Sequence, residues 1–194
     1  INRIQATTYQ AVSGSGALAI SELQSQTENI INNKDVSKSV YTHQIAFSLI
    51  PQVDDFMSDG YTKEEHKMIN ETKKILHDEN LLISATCVRV PVFYCHSEAI
   101  SVDFENEIDI NEVVKIFKNA EGIKLIDDGL NQNYPTPKFV EGKDDIYIGR
   151  IRKDNSNKKG LNFWIVSDNL RKGAALNALQ IMDSAIRLKK IPNF

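Results

Sequence analysis

The apolar positions of this chain change period repeatedly, from two residues to about 3.6 and back, and each change marks an element. Residues 3–9 read as a short strand that ends in the small-residue turn Ser13-Gly14-Ser15-Gly16. A helix over 17–31 follows, with Leu18, Ile20, Leu23 and Ile30 as apolar positions. The stretch 32–42 is polar and reads as loop, while 45–53 is apolar but need not be regular. Thr62 opens a second helix. Glu65 stands three residues on in capping-box spacing, Met68, Ile69, Ile75 and Leu76 supply apolar positions, and His77-Asp78-Glu79-Asn80 stops it.

Strands are expected at 81–88 and 92–104, the second alternating Ile100, Val102 and Phe104 with Ser101, Asp103 and Glu105, which leaves one face wet. Asp109 and Glu112 repeat the capping spacing for a helix through Phe117 that ends before Gly122. A strand at 123–126 leads into a proline-containing loop over 128–144. Strands at 146–151 and 161–166, joined by the polar turn 153–160, read as a long-looped hairpin. A last helix over 169–188 carries Leu170, Ala174, Leu176, Leu179, Ile181 and Ile186. Helices interspersed with mostly hairpin-linked strands predict an α+β fold with a mixed, largely antiparallel sheet.

A chain of 194 residues makes one sizeable domain, and 41% hydrophobic with 25% charged residues is the composition of an ordinary folded protein. The formal charge of −3, with mixed signs, argues against a nucleic-acid partner. No apolar run approaches the roughly 20 residues that cross a bilayer, and the first residues lack the plan of a signal peptide, so no membrane partner and a cytoplasmic location are expected. The start at Ile1 fits a truncated or processed chain. Cys87 and Cys95 are too few for a disulfide framework, and a bridge between them is unneeded in a reducing compartment.

The chemistry concentrates in the run Cys87-Val88-Arg89-Val90-Pro91-Val92-Phe93-Tyr94-Cys95-His96-Ser97-Glu98. A core strand needs neither an arginine nor a histidine. Arg89 offers a fork matched to a carboxylate, and His96 can exchange a proton near neutral pH, so the pair points to an acid substrate and proton-coupled chemistry. A surface arginine and a hydrogen-bonded core histidine are the plain alternatives. Their seven-residue spacing puts them on opposite faces of a regular strand, so the chain must bend around Pro91 if both meet one substrate. Cys95 adjoins His96, but neighbours on a strand point apart, and both cysteines read as buried thiols.

Glu64 and Lys67 stand three apart on the Thr62 helix, the spacing of a surface ion pair. The glycines of Ser13-Gly14-Ser15-Gly16 and the helix after them form either a cradle for a polar cofactor group or a plain tight turn. His43, His66 and His77 lie too far apart for a metal site, and none is expected.

The run around His96, together with Thr7-Thr8-Tyr9-Gln10-Ala11-Val12-Ser13-Gly14, Ile50-Pro51-Gln52-Val53-Asp54, Glu71-Thr72-Lys73-Lys74-Ile75-Leu76 and Asp168-Asn169-Leu170-Arg171-Lys172-Gly173-Ala174-Ala175, resembles aspartate-semialdehyde dehydrogenase over nearly the whole chain. The family's dinucleotide-binding domain and its nucleophilic cysteine have no counterpart here, so the resemblance is to the second domain. It implies a sheet with helices on one face, like the C-terminal domain of glyceraldehyde-3-phosphate dehydrogenase. Residues 1–167 would form a substrate-binding and dimerisation domain, and 168–194 a C-terminal helix that packs on the nucleotide-binding domain.

The activity implied is NADPH-dependent reductive dephosphorylation of β-aspartyl phosphate to aspartate semialdehyde, with phosphate released. His96 and Gln10 would be catalytic, with Gln10 holding the acyl group. Arg89 would grip the substrate carboxylate, Glu64 its amino group and Lys67 the phosphate. Ser13, Gly14 and Asn169 would contact NADP. A homodimer or homotetramer is implied through the sheet. A related acyl-phosphate reductase acting on N-acetyl-glutamyl phosphate, a non-catalytic dimerisation module and a small-acid binding domain remain open at this stage.

Overall fold

A computed structural model describes residues 1–188 and 190 of the chain. Its elements run β1 (Arg3–Gln10), α1 (Ala17–Ile31), α2 (Lys63–Leu76), β2 (Leu82–Arg89), β3 (His96–Asp103), α3 (Ile110–Asn119), β4 (Ile123–Leu125), α4 (Pro137–Val140), β5 (Ile146–Lys153), β6 (Gly160–Ser167) and α5 (Ala175–Arg187). One six-stranded sheet in the order β2-β1-β3-β6-β5-β4 holds them together. Three pairings are antiparallel, and the two outer ones, β1 with β2 and β4 with β5, are parallel. The fold is α+β with a mixed sheet.

Register decides which face is buried. Ile4 and Ala6 of β1 stand opposite Val102 and Ile100 of β3, which in turn face Leu161 and Phe163 of β6. Met68 of α2 packs on this row, and Phe117 of α3 stacks on Phe163 with ring centroids 5.7 Å apart. The other face presents Arg3, Gln5, Ser101, Asp103 and Asn162, the wet side that the alternation in β3 predicts. Among the described residues, only the short α4 lies against that face, where Val140 packs with Val166, Tyr147 and Trp164.

The capping box of α2 forms as its spacing predicts. Thr62 Oγ1 accepts from the Glu65 amide at 3.3 Å, and Glu65 Oε2 accepts from the Thr62 amide at 2.8 Å. Its other oxygen, Oε1, accepts from the Cys87 amide at 2.9 Å, so the same carboxylate ties the helix to β2. For α3, Asp109 caps through the Asn111 amide at 2.8 Å.

Between α1 and α2 the chain is irregular yet well packed, and two buried side chains of α1 explain why. Glu22 Oε2 accepts from the Ser39 amide at 2.9 Å and the Ser39 hydroxyl at 2.8 Å, while Gln26 Oε1 accepts from the Ile45 and Ala46 amides at 3.0 and 3.1 Å. Ile45, Ala46 and Ile50 then join Val12, Ala19 and Leu23 in a core of their own at the end of the sheet. Ile50 and Arg89 exchange backbone hydrogen bonds at 3.0 and 2.8 Å, which fastens the segment beside β2.

Three boundaries differ from the sequence expectation. β3 begins at His96 rather than at 92, because residues 90–95 cross the end of β1 instead of extending a strand. α5 begins at Ala175 rather than at 169: Asp168 Oδ1 accepts from the Leu170 and Arg171 amides and closes a turn first. β5 runs on to Lys153 through a bulge between Gly149 and Arg152, where Arg150 has φ 58° and Asp127 accepts from the Arg150 and Ile151 amides at 2.8 and 3.1 Å. Gly149 has no room for a side chain there, since a Cβ would lie 2.2 Å from the Ile126 carbonyl oxygen.

Candidate active site

Three strand ends meet at one corner of the buried face. Gln10 closes β1 and stands opposite Arg89, which closes β2. His96 opens β3, one position beyond the Tyr9 and Ser97 pair, so its side chain falls on the same side as that of Gln10. The bend demanded by the spacing of Arg89 and His96 is present. The Val90 amide donates to the Gln10 carbonyl at 3.0 Å, and the Val92 and Phe93 carbonyls accept from the Val12 and Ser13 amides at 2.9 and 3.1 Å. Pro91, with no N–H to satisfy, sits in this crossing, and Cys95 at φ 73° turns the chain into β3.

Arg89 is only 5% exposed. Its Nη1 donates to the Ala11 carbonyl at 2.7 Å, and its Nε is buried without a partner. Burial draws its pKa down, yet a guanidinium remains charged. No carboxylate forms an ion pair with it among the described residues. A buried cation costs several kcal/mol unless an anion joins it. Such a group can receive an anionic ligand.

His96 is fixed by backbone. The Ala11 amide donates to Nδ1 at 3.1 Å, which leaves the proton of the neutral ring on Nε2. Burial above all, then the charge of Arg89, pushes its pKa down to about 4, against the pull of Glu64 and Asp168. The ring is therefore neutral near pH 7 and offers a proton at Nε2. Taking one up requires it to give up the Ala11 hydrogen bond. Gly14 closes the corner: a Cβ there would lie 3.1 Å from Arg89 Nη1 and 3.1 Å from His96 Cε1 and Nε2.

Glu64 extends the cluster from α2. Its Oε1 accepts from Gln10 Nε2 at 3.2 Å, and its Oε2 pairs with Lys67 Nζ at 3.0 Å, a bond that raises the Lys67 pKa. The ion pair expected from the helix spacing thus exists, and its acid also reaches the strand end. On the opposite side, Asn169 Oδ1 accepts from the Ser13 hydroxyl and from the Cys95 amide, both at 3.1 Å. Asp168 holds that turn in place, its Oδ2 accepting from the Gly142 amide at 2.8 Å. All eight residues singled out from the sequence, Gln10, Ser13, Gly14, Glu64, Lys67, Arg89, His96 and Asn169, fall in one connected cluster.

The cysteines stand apart from it. Cys95 packs with Val140 and Val166 beneath α4, on the opposite face from His96, and burial lifts its pKa to about 12. Cys87 is likewise buried, with a pKa of about 11. Neither thiol is an activated nucleophile. Sequence reasoning missed two contributors, Ala11 and Asp168. Ala11 acts through its backbone and leaves no signal in composition, whereas the Asp-Asn-Leu-Arg run has the form of an Asx turn and was readable.

Comparison with known proteins places this geometry. Residues 1–172 match the family described as semialdehyde dehydrogenase, dimerisation domain. The aspartate-semialdehyde dehydrogenase of Aquifex aeolicus is 51% identical over 188 residues, covering 96% of this chain and 55% of that protein. The Bacillus subtilis enzyme of the same name is 43% identical over 199 residues, covering 98% of the chain and 58% of its own length. A solved structure of aspartate semialdehyde dehydrogenase II from Vibrio cholerae, complexed with ASA, superposes with a TM-score of 0.92 at 45% identity, covering 96% of this chain and 55% of that one. The chain spans about half the length of the curated relatives it matches. By its sequence, its fold and the extent of both matches, this chain belongs to the semialdehyde dehydrogenase family, whose dimerisation domain it comprises.

Proposed function

We propose that the protein carrying this chain is an aspartate-semialdehyde dehydrogenase, which reduces β-aspartyl phosphate to aspartate semialdehyde with NADPH and releases phosphate. The observation that carries this reading is the buried, anion-free guanidinium of Arg89 sharing the Gly14 corner with the Nε2 proton of His96. A carboxylate-bearing substrate held by Arg89 has its reacting end within the cluster that His96 and Gln10 bound. Relatives named for this activity and a neighbour solved with ASA support the assignment.

In this reading, Arg89 takes the substrate carboxylate, Glu64 its ammonium group and Lys67 the phosphate. Gln10, tethered to Glu64, holds the acyl carbonyl. The nucleophile is a cysteine contributed from outside this chain, since Cys87 and Cys95 are buried and protonated. As the thiolate it displaces phosphate to give an acyl thioester. His96, protonated at Nε2, donates to the oxygen on which charge develops as the acyl carbon is attacked.

NADPH, when bound, would supply the hydride that takes the acyl thioester to the aldehyde, with the cysteine thiolate as the leaving group. Ser13, Gly14 and Asn169 suit its nicotinamide end: the Asn169 carbonyl oxygen is already engaged by Ser13 and Cys95, which directs its amide nitrogen elsewhere as a donor. Gly14 leaves backbone exposed at the same corner. The exposed Leu179, Ile181, Met182 and Ile186 of α5 pack on the nucleotide-binding half. The open sheet face of β1, β3 and β6 pairs with a second copy, making the protein a cytoplasmic homodimer.

The test is the full-length protein, wild type and His96→Asn, assayed for phosphate-dependent reduction of NADP by aspartate semialdehyde. Turnover in the wild type that falls by roughly 10²-fold or more in the variant is expected when the donor to the developing oxyanion is lost. A folded wild type that turns over N-acetyl-glutamate semialdehyde instead would move the assignment to that related reductase.

A further inference from the structure

Resting on that reading, the structure offers a substrate contact beyond Arg89, Glu64, Lys67, Gln10 and His96. Beside Arg89 lies a cavity of about 270 Å³, lined among others by Tyr41, Gln52 and the arginine itself. Two polar atoms at this place are shielded from water and have no hydrogen-bond partner, Tyr41 Oη and Arg89 Nε. Each carries a hydrogen that folding leaves unpaired, at a cost that proteins rarely tolerate without a use.

The main chain of neither residue is free to drift. The ring of Tyr41 packs against the core of Val12, Ala19, Leu23, Ile45, Ala46 and Ile50. Its segment is pinned two residues earlier by Ser39 on Glu22 and a few residues later by Ile45 on Gln26. Arg89 is held by its backbone bonds to Ile50 and by Nη1 on the Ala11 carbonyl. The phenol and the guanidinium thus sit on a fixed frame, from which side-chain rotation brings them to a ligand in the cavity. Phenylalanine at position 41 would fill the same space without an unpaired hydroxyl.

We propose that Tyr41 is a specificity residue of the substrate site, its hydroxyl donating to the same ligand carboxylate that Arg89 binds through its Nε edge. One carboxylate bridging the two satisfies both orphaned atoms at once. Asp54 and Asp55 line the same cavity, Asp55 already held by Lys63 at 2.7 Å. Those carboxylates repel a simple anion and accommodate an α-amino acid, whose ammonium group offsets them. The pair therefore selects a zwitterion over an N-acylated acid of the same length.

The full-length protein, wild type and Tyr41→Phe, tests this in two ways: turnover with aspartate semialdehyde, phosphate and NADP, and calorimetric titration with L-aspartate as an unreactive probe. In the variant, KM for aspartate semialdehyde rises about ten-fold or more while kcat and KM for phosphate stay within a few-fold, and L-aspartate binding weakens in parallel. The melting temperature does not fall, which a merely structural tyrosine would not allow. Unchanged KM and unchanged L-aspartate affinity in Tyr41→Phe overturn the proposal while leaving the enzyme assignment intact. A wild type without turnover overturns the assignment instead, and the titration then decides alone: binding lost in the variant sustains the contact, and equal or undetectable binding in both proteins sinks it.

Discussion

The Ala11 amide donates to His96 Nδ1 at 3.1 Å while the Ala11 carbonyl accepts from Arg89 Nη1 at 2.7 Å, so one peptide-linked residue fixes both polar groups of the site. The histidine's tautomer and the arginine's orientation are set by main chain that no substitution at position 11 other than proline removes. The variants below therefore alter single groups within an otherwise fixed frame.

Protonation of His96 works against folding. Its folded pKa of about 4 lies below the ordinary value of 6.5, so the unfolded chain binds the extra proton first as pH falls. The stability that the neutral ring contributes is complete above about pH 6.5 and is lost progressively down to about pH 4, amounting to up to about 3 kcal/mol. Chemical denaturation of wild type and His96→Asn between pH 7 and 4 measures this. The variant should show a shallower loss across that window, and parallel curves would contradict the burial of a neutral imidazole.

Arg89→Met should separate binding from stability. The arginine is a buried charge without an anion, and the Ala11 carbonyl retains the Gly14 amide at 3.2 Å when Nη1 is gone. An apolar side chain of similar length should leave the melting temperature unchanged or higher, as replacements of buried ions often do. Substrate-dependent turnover of the full-length protein should meanwhile fall by roughly 10²-fold or more. A marked drop in melting temperature would show that the guanidinium is structural.

Gly14→Ala places a methyl group 3.1 Å from both Arg89 Nη1 and His96 Nε2. Gly14 is not among the glycines of positive φ, so the backbone accepts alanine and the cost falls on the two side chains. Activity of the full-length variant should drop by about 10-fold or more with stability within about 1 kcal/mol of wild type. Full activity would mean that neither group needs its present position.

Glu65→Ala should be the reverse case, structural and distant from the chemistry. Its carboxylate serves the Thr62 amide and the Cys87 amide, and the box also includes Thr62 Oγ1. Losing a cap and leaving a buried amide unpaired should cost about 2–4 kcal/mol in urea denaturation. At temperatures where the variant is folded, KM should stay unchanged.

Much of this was legible in the sequence where local chemistry and tertiary role coincide. Thr62 and Glu65 announce α2 because the box is a four-residue device, and the alternation around Ile100 and Val102 marks a strand with one wet face. Arg89 and His96 stood out because a buried strand has no use for them. What stayed hidden is made at long range. The crossing of residues 90–95 over β1 depends on partners at Val12 and Ser13. The path of residues 37–50 is set by Glu22 and Gln26, which in the sequence look like ordinary polar positions of α1. Tyr41 gave no signal because an unpaired hydroxyl becomes visible only when its surroundings are known.

The parallel pairing of β1 with β2 has a kinetic consequence. Gln10 and Arg89 lie side by side, yet α1, the irregular segment and α2 intervene between them in the chain. Closing so long a loop is slow relative to forming hairpins such as β5 with β6, and a slip of one residue would turn Arg89 to the wet face. Assembly of this corner is therefore expected to come late in folding. A nascent or partly folded chain carries the sheet's hairpin before it carries any capacity to hold substrate, and ligand affinity reports completion of the fold.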